Sequence, residues 1–327
     1  TPTATMISIM LPELGQSPSY IIGGIVPQLG GNAQAGQGRH FVIEADEYDR
    51  TFHGLRPDIA VVTSIEMDHP DCYADIAAMR EAYATFLAGV PEGGWVVACA
   101  DSANLRQTLC EAPGLRGRVV TYGLAEAADY RLAGLDHAED GSVRFAIHKG
   151  GRPWATVALQ VPGAHNALNG TAALVVADLL GLDVASAAAG LAAYRGIERR
   201  FQVKGEAAGV TFVDDYAHHP SEVRATLAAA RDRYPGRRIV AVFQPHTYSR
   251  TEALFDKYLD CFADADRVVI MDIYAARSRE VPTIRAETLA AALHHPAACL
   301  LYTSDASYLG GADAVTEALA RDLAAGD

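Results

Sequence analysis

Acidic side chains follow two short apolar segments near the start of the chain. Residues 41–43 precede Glu-Ala-Asp-Glu-Tyr-Asp at 44–49, and residues 59–63 precede a second run, Glu-Met-Asp-His, at 66–69. The apolar segments are short and rich in β-branched residues, a pattern that predicts strands. Because ligands of open α/β sheets lie beyond the carboxyl ends of the strands, these carboxylates could hold a divalent cation beside a phosphorylated substrate. The pattern indicates an enzyme that uses a nucleotide.

The composition is that of a folded globular protein. The chain has 327 residues, of which 50% are hydrophobic and 20% charged, enough for two domains that each bury a core. With 40 Asp and Glu against 27 Lys and Arg, a nucleic-acid partner is disfavoured. The five cysteines form no CxxC pair, so neither zinc nor a disulfide framework is predicted. No apolar run reaches the roughly 18 residues of a membrane helix, and no signal peptide is recognisable, so we expect a cytoplasmic protein without a membrane partner.

Alternating strand and helix patterns predict an α/β fold. Apolar segments alternate with alanine-rich helical ones, as at 59–63, 76–87 and 95–99, which is typical of βαβ units. Residues 130–159 carry period-two segments around a Gly-Gly turn, and we expect a hairpin that extends the sheet. Two helices are predicted next, at 167–180 and 184–194.

A second α/β domain is predicted after the charged stretch 195–200, so we place the domains at 1–195 and 196–327. The alternation restarts there, and each helix again leads into a strand. The predicted strands are 210–213, 238–243, 267–273 and 298–302, and the predicted helices are 220–233, 251–263, 286–293 and 311–325.

The first residues lead directly into a helix without a glycine-rich loop. A phosphate-binding loop needs glycines whose amides converge on phosphate, a lysine, and a Ser or Thr hydroxyl for Mg²⁺. Of these, we assign only the hydroxyl, to Thr1. A further strand is expected after Asp327. We therefore expect a chain that is truncated at both ends.

The chain resembles the Mur ligase family over nearly its whole length. Six segments occur in the order found in that family, at 44–49, 68–71, 162–169, 199–201, 214–220 and 244–251. The resemblance implies a central P-loop-type ATPase domain that lacks its phosphate loop, followed by a Rossmann-like C-terminal domain. It also implies that the N-terminal, UDP-binding domain of the family is missing.

The resemblance implies an ATP-dependent, amide-forming reaction. Such ligases transfer the γ-phosphoryl group of ATP to a carboxylate, and an amino group then attacks the acyl phosphate. The segment 244–251 is similar to the branch that adds L-alanine to UDP-N-acetylmuramate in peptidoglycan precursor synthesis, and Ala84 stands where several other branches carry a carbamylated lysine. ATP and Mg²⁺ are therefore the implied cofactors. The oligomeric state is not predicted.

Metal binding is assigned to Thr1, Glu44 and His69. Glu44 resembles the magnesium-binding glutamate of the family, and oxygen is the ligand that a hard cation prefers. His69 resembles a histidine that holds a second metal near the acyl phosphate, so it is also a predicted catalytic residue. Since histidine is an unusual ligand for Mg²⁺, that role rests on the resemblance. Without the neighbouring motif, His69 would be interpreted as a helix-capping or core histidine.

Nucleotide binding is implied for His165, Asn166, Asn169, Arg200 and Asp215. The first three resemble adenine-contacting residues, and an asparagine amide offers the paired donor and acceptor that a purine edge needs. Asn166 also fits a helix cap, and the two interpretations are compatible. Arg200 resembles an arginine that reaches the ATP phosphates, for which its forked guanidinium is suited. Asp215 resembles the ribose-binding acid.

Substrate binding is implied for Tyr216, His218, His246 and Arg250. These residues lie in segments that in the family face the metal, the amino acid and the acyl end. An arginine there can pair with the carboxylate of L-alanine, and His218 and Arg250 are also predicted catalytic residues. The pair at 218–219 precedes a proline, so one of the two histidines is expected to cap the following helix.

Three alternatives remain open from the sequence. A murein tripeptide recycling ligase would carry a Glu-Pro-Arg-Ser-like segment in place of 244–251. A metal-dependent phosphoesterase could use the same carboxylates and histidine but would not need Asn166 and Asn169. A non-catalytic nucleotide-binding module would turn nothing over. We also expect residues 1–327 alone to form no amide, since the phosphate loop is missing.

Overall fold

The fold is α/β in both halves of the chain, which confirms the predicted fold class. The computed structural model describes residues 1–138, 141–276, 284–294 and 305–327. They form two compact units, Thr1–Glu198 and Arg199–Asp327, here called unit 1 and unit 2. The functional domain boundary at 195/196 stays a prediction. None of the helices in the described ranges is long and apolar enough to cross a membrane.

Unit 1 is built around a sheet with the strand order β4-β5-β6-β7-β8-β9. Its strands are β4 Ile59–Val62, β5 Trp95–Cys99, β6 Arg118–Gly123, β7 Tyr130–His137, β8 Val143–Lys149 and β9 Arg152–Leu159. The strands β4 to β7 run parallel, and central residues such as Val96 and Val97 are fully buried, as strands covered on both faces require. The strands β7, β8 and β9 are antiparallel. The predicted hairpin extension is therefore confirmed.

A second sheet of unit 1 carries the strand that precedes the first acidic run. Its strands are β1 Ser19–Val26, β2 Gly31–Gln34 and β3 Phe41–Ile43, in the order β2-β1-β3. The strands β1 and β3 are parallel, with Ile21 beside Ile43. The acidic runs after β3 and β4 therefore follow strands of two different sheets.

The helices of unit 1 pack on one another and on strands of both sheets. They are α1 Pro2–Glu13, α2 Ile76–Ala88, α3 Ala103–Glu111, α4 Ala164–Leu179 and α5 Val184–Leu191. In α1 every residue from 5 to 11 is buried, which is the pattern of a core helix rather than a surface helix. The helix start at Thr1 is thus held by packing along the next two turns.

Unit 2 combines a hairpin with a parallel sheet. The hairpin pairs β10 Gln202–Ala207 with β11 Val210–Asp214, and the parallel strands are β12 Val240–Phe243, β13 Arg267–Met271 and β14 Asp305–Gly310. The helices are α6 Pro220–Arg233, α7 Tyr248–Ala253, α8 Phe255–Tyr258, α9 Ala286–His294 and α10 Ala312–Asp322. The parallel pairing supports the predicted Rossmann-like character of this unit.

Two predicted elements of unit 2 need comment. The single helix predicted at 251–263 is wrong, because the backbone of Leu254 (φ −110°, ψ 15°) leaves the helical region and separates α7 from α8. Leu254 is almost fully buried, so its apolar side chain contributed to a helical pattern that the backbone does not continue. The strand predicted at 298–302 lies outside the described residues, and β14 was not predicted.

Candidate active site

Glu44 lies directly after β3 and is bound from two sides. Thr1 Oγ1 donates a hydrogen bond to Oε1 at 2.6 Å, and the amide of Gly23 donates to Oε2 at 2.7 Å. Burial raises the pKa of Glu44, whereas the hydrogen bonds from the Thr1 hydroxyl and the Gly23 amide lower it. Both hydrogen bonds favour the ionised carboxylate.

Gly23 makes this arrangement possible. A Cβ atom at this position would lie 3.0 Å from both carboxylate oxygens of Glu44. Contacts this short force a neighbouring group to move. A side chain at position 23 would therefore displace the carboxylate from the start of α1.

Thr1 and Glu44 fit a magnesium ion by the chemistry of their donor atoms. Mg²⁺ is commonly bound by one or two carboxylates together with waters and substrate phosphates rather than by a full cage of side chains. Within residues 1–138, 141–276, 284–294 and 305–327, no group of three or more His, Cys, Asp or Glu is placed to hold a metal. A cation held by Thr1 and Glu44 would thus complete its coordination with water or substrate oxygens.

His69 lies among the acidic side chains of the two runs. Its Nε2 is 3.1 Å from Glu47 Oε1 and 3.6 Å from Asp68 Oδ2, and its ring meets the ring of Tyr48 edge to face at 5.1 Å between centroids. Because a carboxylate only accepts hydrogen bonds, the proton of a neutral His69 sits on Nε2 and Nδ1 is the basic nitrogen. A metal at His69 would bind through Nδ1, with Glu47 as the orienting carboxylate.

The loop that carries Glu47 is held by a buried tyrosine. The hydroxyl of Tyr73, whose side chain is 1% exposed, donates to the carbonyl oxygen of Glu47. Asp49 and Arg50 then adopt positive φ angles of 51° and 56°, a region that residues other than glycine seldom enter. Sequence reasoning did not single out Glu47, because the direction of each carboxylate depends on this turn.

The predicted adenine residues lie on the first turns of α4. Asn166 is buried, and its Nδ2 donates to the carbonyl of Pro162 at 2.7 Å. Asn169 Oδ1 accepts a hydrogen bond from Thr3 Oγ1 at 2.8 Å, which connects α4 to α1. His165 is half-exposed. The predicted helix cap at Asn166 is wrong, because Gly163 is the N-cap of α4 and Asn166 lies inside the helix, where it donates to a carbonyl instead of accepting from an amide. The adenine role of all three residues stays a prediction.

Asp215 organises the loop between β11 and α6. Its carboxylate accepts hydrogen bonds from the amides of Phe201 at 2.8 Å and Ala217 at 2.7 Å, and from Thr226 Oγ1 at 3.1 Å. Burial raises the pKa of Asp215 above its ordinary value, in spite of these hydrogen bonds and the nearby guanidinium of Arg200. The carboxylate fixes the backbone on either side of it. Its predicted ribose contact stays a prediction.

The four predicted substrate residues are brought together in unit 2. The ring of His218 lies 5.1 Å from that of Tyr216 and 5.5 Å from that of His246, measured between centroids. Arg250 Nη1 lies 2.8 Å from His246 Nδ1, and Arg250 is only 4% exposed. A buried guanidinium beside two histidines is suited to an anion such as a carboxylate.

Hydrogen bonds fix the proton positions on both rings. His218 Nδ1 lies 2.9 Å from the carbonyl of Tyr216, so Nδ1 must donate and Nε2 is the basic nitrogen of the neutral ring. His246 Nδ1 faces the guanidinium of Arg250, so this nitrogen accepts and the proton lies on Nε2. His218 can therefore take up a proton at Nε2, whereas neutral His246 can donate from Nε2.

The segment that carries Arg250 begins at a strained residue. Thr247 has φ 64° and ψ 146°, and its hydroxyl accepts a hydrogen bond from the amide of Arg250 at 3.3 Å as the N-cap of α7. The amide of Thr247 donates to the carbonyl of Tyr274 at 2.9 Å. Tyr258, which is fully buried, donates its hydroxyl to the carbonyl of His218 at 2.7 Å. Both backbone segments of the cluster are thereby fixed.

The predicted capping role of the 218–219 pair falls to His219. Its Nδ1 accepts from the amide of Ser221, and Glu222 completes a capping box at the start of α6. Sequence reasoning missed Glu222, although an acid three residues after an N-cap is a recognisable pattern. It also missed Tyr274, whose ring lies 5.6 Å from that of His246.

An α/β fold in two units, with an acidic cluster in one unit and a basic cluster in the other, defines a class of enzyme suited to phosphorylated substrates. Comparison with known protein families supports this class of enzyme. The Mur ligase middle domain matches residues 3–177, and the family described as Mur ligase, glutamate ligase domain matches residues 199–327. The chain belongs to the Mur ligase family, as its six motifs indicated.

Within this family, the chain is similar to several individual ligases. The UDP-N-acetylmuramate–L-alanine ligase of Caldanaerobacter subterraneus is 38% identical over 327 residues, and that of Geobacter sulfurreducens is 40% identical over 328; each match covers 100% of this chain and 69% of the relative. The crystal structure of UDP-N-acetylmuramate-alanine ligase from Thermotoga maritima has a TM-score of 0.73 and is 25% identical. That match covers 95% of this chain and 64% of the Thermotoga chain. The chain thus spans about two thirds of the length of these relatives.

Proposed function

We propose that the protein joins L-alanine to UDP-N-acetylmuramate in an ATP-dependent reaction that passes through an acyl phosphate, in the synthesis of peptidoglycan precursors. The relatives from Caldanaerobacter and Geobacter carry the name of this reaction. The observation that carries the proposal is the cluster of Tyr216, His218, His246 and Arg250, which offers a buried cation and a basic nitrogen side by side. These are the two groups that an amino-acid nucleophile requires.

The amino acid is bound and activated by unit 2. Arg250 pairs with the carboxylate of L-alanine, and Nε2–H of His246 donates to the same anion. Nε2 of His218 accepts a proton from the amino group, which must lose protons before and during its attack on an acyl phosphate. The buried position of Arg250 strengthens its interaction with the carboxylate, since less water screens the two charges.

The phosphate chemistry is assigned to unit 1. Thr1 and Glu44 would hold Mg²⁺, which neutralises phosphate charge and orients the γ-phosphoryl group. The hydrogen bonds from the Thr1 hydroxyl and the Gly23 amide favour the ionised form of Glu44, which is the form that binds a cation. His69, oriented by Glu47 at 3.1 Å, is assigned to the second metal near the acyl phosphate. In the same unit, Asn166, Asn169 and His165 are assigned to adenine. Arg200 and Asp215, which belong to unit 2, are assigned to the phosphates and the ribose.

The test is an assay of the complete gene product that contains residues 1–327. We expect ADP release that requires both UDP-N-acetylmuramate and L-alanine, with incorporation of labelled L-alanine into the UDP-linked product. Incorporation of L-alanyl-γ-D-glutamyl-diaminopimelate instead of L-alanine would identify a tripeptide ligase. Phosphate release from a phosphate ester without ATP would identify a phosphoesterase. Nucleotide binding without any turnover would identify a non-catalytic nucleotide-binding module. Each of these three outcomes contradicts the proposal.

A further inference from the structure

Glu222 has one role that is explained by local structure alone. It is the third residue of α6, and its Oε2 accepts hydrogen bonds from the amides of His218 at 3.1 Å and His219 at 3.3 Å. These amides precede the helix, so their hydrogen bonds form the capping box of α6. This role uses one carboxylate oxygen and does not require a negative charge, because glutamine caps helices in the same way.

The other oxygen of Glu222 makes a different contact. Oε1 lies 3.4 Å from Nη1 of Arg200, which belongs to a segment more than twenty residues earlier. On the opposite side, Oε2 lies 3.7 Å from Nδ1 of His218. A single carboxylate is thus within 4 Å of the arginine assigned to phosphate and of the histidine assigned to the amino group.

We infer that Glu222 is a positioning residue that links Arg200 on the nucleotide side of the reaction to His218 on the amino-acid side. The inference rests on the proposed function for the roles of these two residues, whereas the link itself rests on the contacts. Glu222 touches no reacting atom in this scheme. It acts by holding two other side chains and by placing a negative charge between them.

The position of that charge has a consequence for His218. Nδ1 of His218 faces both the Tyr216 carbonyl and the Glu222 carboxylate, so the carboxylate stabilises the positive ring that forms when Nε2 accepts a proton. Burial raises the pKa of Glu222, but His218, Arg200 and the two capping amides outweigh burial and hold the pKa below its ordinary value. The Glu222 carboxylate therefore stabilises the positive charge of Arg200 and that of protonated His218.

The contact with Arg200 is long enough to be exchanged. At 3.4 Å it is at the weak end of hydrogen bonding, and a phosphate offers the same guanidinium a shorter, forked pair of bonds. When a phosphate binds the guanidinium of Arg200 in place of Glu222, the carboxylate keeps its contact with the His218 ring and its two capping hydrogen bonds. Binding at Arg200 and proton uptake at His218 are then coupled through one side chain, and such coupling acts in both directions.

The link is tested by a titration that does not depend on ligase activity. In residues 1–327 with labelled glutamate side chains, NMR follows the Glu222 carboxyl, which Glu222→Gln identifies. We expect Arg200→Gln and His218→Gln each to raise the pKa of Glu222. The matched control is Arg224→Gln, since Arg224 lies on the same helix but donates to the Asp260 carbonyl, and it should leave this pKa unchanged. A Glu222 pKa that stays the same in folded Arg200→Gln or His218→Gln overturns the link.

A second measurement separates positioning from helix capping. In the complete gene product, Glu222→Gln keeps the hydrogen bonds of the cap but loses the charge, so we expect a folded protein with only a small loss of stability at neutral pH and a kcat that falls roughly tenfold. The acidic limb of the kcat–pH profile should move to lower pH, because the protonated ring of His218 loses a stabilising partner. Arg224→Gln again serves as the control. If kcat and its pH profile are unchanged in Glu222→Gln, Glu222 is only a helix cap.

The two measurements distinguish failure of the inference from failure of the proposed function. If the gene product does not ligate L-alanine, the proposed function fails, and the NMR titration still decides whether Glu222 links the two residues. If ligation is observed but the titration shows no response to Arg200→Gln, the inference fails and the proposed function stands.

Discussion

The two units carry site clusters of opposite charge, yet both clusters are fixed in the same way. Unit 1 presents carboxylates around His69, and unit 2 presents a buried guanidinium beside two histidines. In each unit a buried tyrosine donates its hydroxyl to a loop carbonyl: Tyr73 to Glu47 and Tyr258 to His218. The side chains therefore determine whether a cation or an anion is bound, while the tyrosines fix the backbone that presents them.

The largest loss of turnover is expected from a substitution of an acidic residue in unit 1. Glu44→Ala removes the carboxylate assigned to Mg²⁺, and we expect turnover of the complete gene product to fall by roughly 10²–10³-fold or more, since charge stabilisation of phosphate is lost. ADP release at rising Mg²⁺ concentration measures this. Glu92→Ala changes an exposed acid of the same unit and should leave the rate unchanged. Near-normal turnover in Glu44→Ala would remove the metal assignment and, with it, the contrast between the two clusters.

A substitution in the basic cluster of unit 2 should change the affinity for the amino-acid substrate. Lysine cannot reproduce the forked hydrogen bonds of a buried guanidinium, so Arg250→Lys is expected to raise the KM for L-alanine by about 10- to 100-fold. The KM for ATP should change much less. Steady-state kinetics of Arg250→Lys, with Arg224→Lys as a control, measures both constants. A larger effect on ATP than on L-alanine would show that this cluster does not bind the amino acid.

The hydrogen bond from a buried tyrosine to a loop carbonyl occurs in both units and can be tested in both. Tyr73→Phe and Tyr258→Phe each leave a loop carbonyl without its hydroxyl donor, and each should lower the free energy of unfolding of its own unit by about 1 kcal/mol. Both tryptophans of the chain, Trp95 and Trp154, lie in unit 1. Urea unfolding followed by tryptophan fluorescence should therefore shift in Tyr73→Phe, whereas Tyr258→Phe should shift only the circular dichroism transition of unit 2. Equal shifts of both signals in both variants would contradict this separation.

The smallest effects concern pH. The pKa of Glu222 is lowered in the folded protein, so its contribution to stability is present above the unfolded value of about 4.3 and is lost as the pH falls through the folded pKa. The pKa of Asp215 is raised, so its contribution is full below about pH 3.9 and is lost as the pH rises through the folded pKa. Urea unfolding between about pH 3 and pH 7 should show a smaller gain of stability with rising pH in Glu222→Gln, and a larger gain in Asp215→Asn. Changes in the same direction would show that one of these two pKa shifts has the wrong sign.

Most of the fold follows from patterns that are local in the sequence. The boundaries of α6 coincide with the predicted 220–233, since His219, Pro220 and Glu222 mark its start. The hairpin β7–β8–β9 follows from period-two segments around glycines. The strands β1, β2 and β10 were missed. All three contain glycine, which weakens the sequence pattern of a strand, and the parallel partner of β1 is β3, which follows only after β2.

The site was predictable as a set of motifs but not as a geometry. Motif positions placed Tyr216, His218, His246 and Arg250 in one predicted set, and the structure brings their side chains close together, because each motif follows a strand of unit 2. Which acid contacts His69 could not be predicted, because the positive φ angles of Asp49 and Arg50 set the direction of the loop. Side-chain hydrogen bonds to the backbone, such as that of Asn166 to Pro162, are likewise decided by local distances that a motif does not contain.

Thr247 shows how stability and activity would select in opposite directions at one position. A β-branched residue at φ 64° stores roughly 1–3 kcal/mol of backbone strain, which glycine would release. Glycine would also remove the hydroxyl that accepts the amide hydrogen of Arg250, and so loosen the first turn that carries the guanidinium. Laboratory evolution for thermal tolerance alone should therefore enrich glycine at 247, whereas selection for growth that depends on the enzyme's activity should restore threonine.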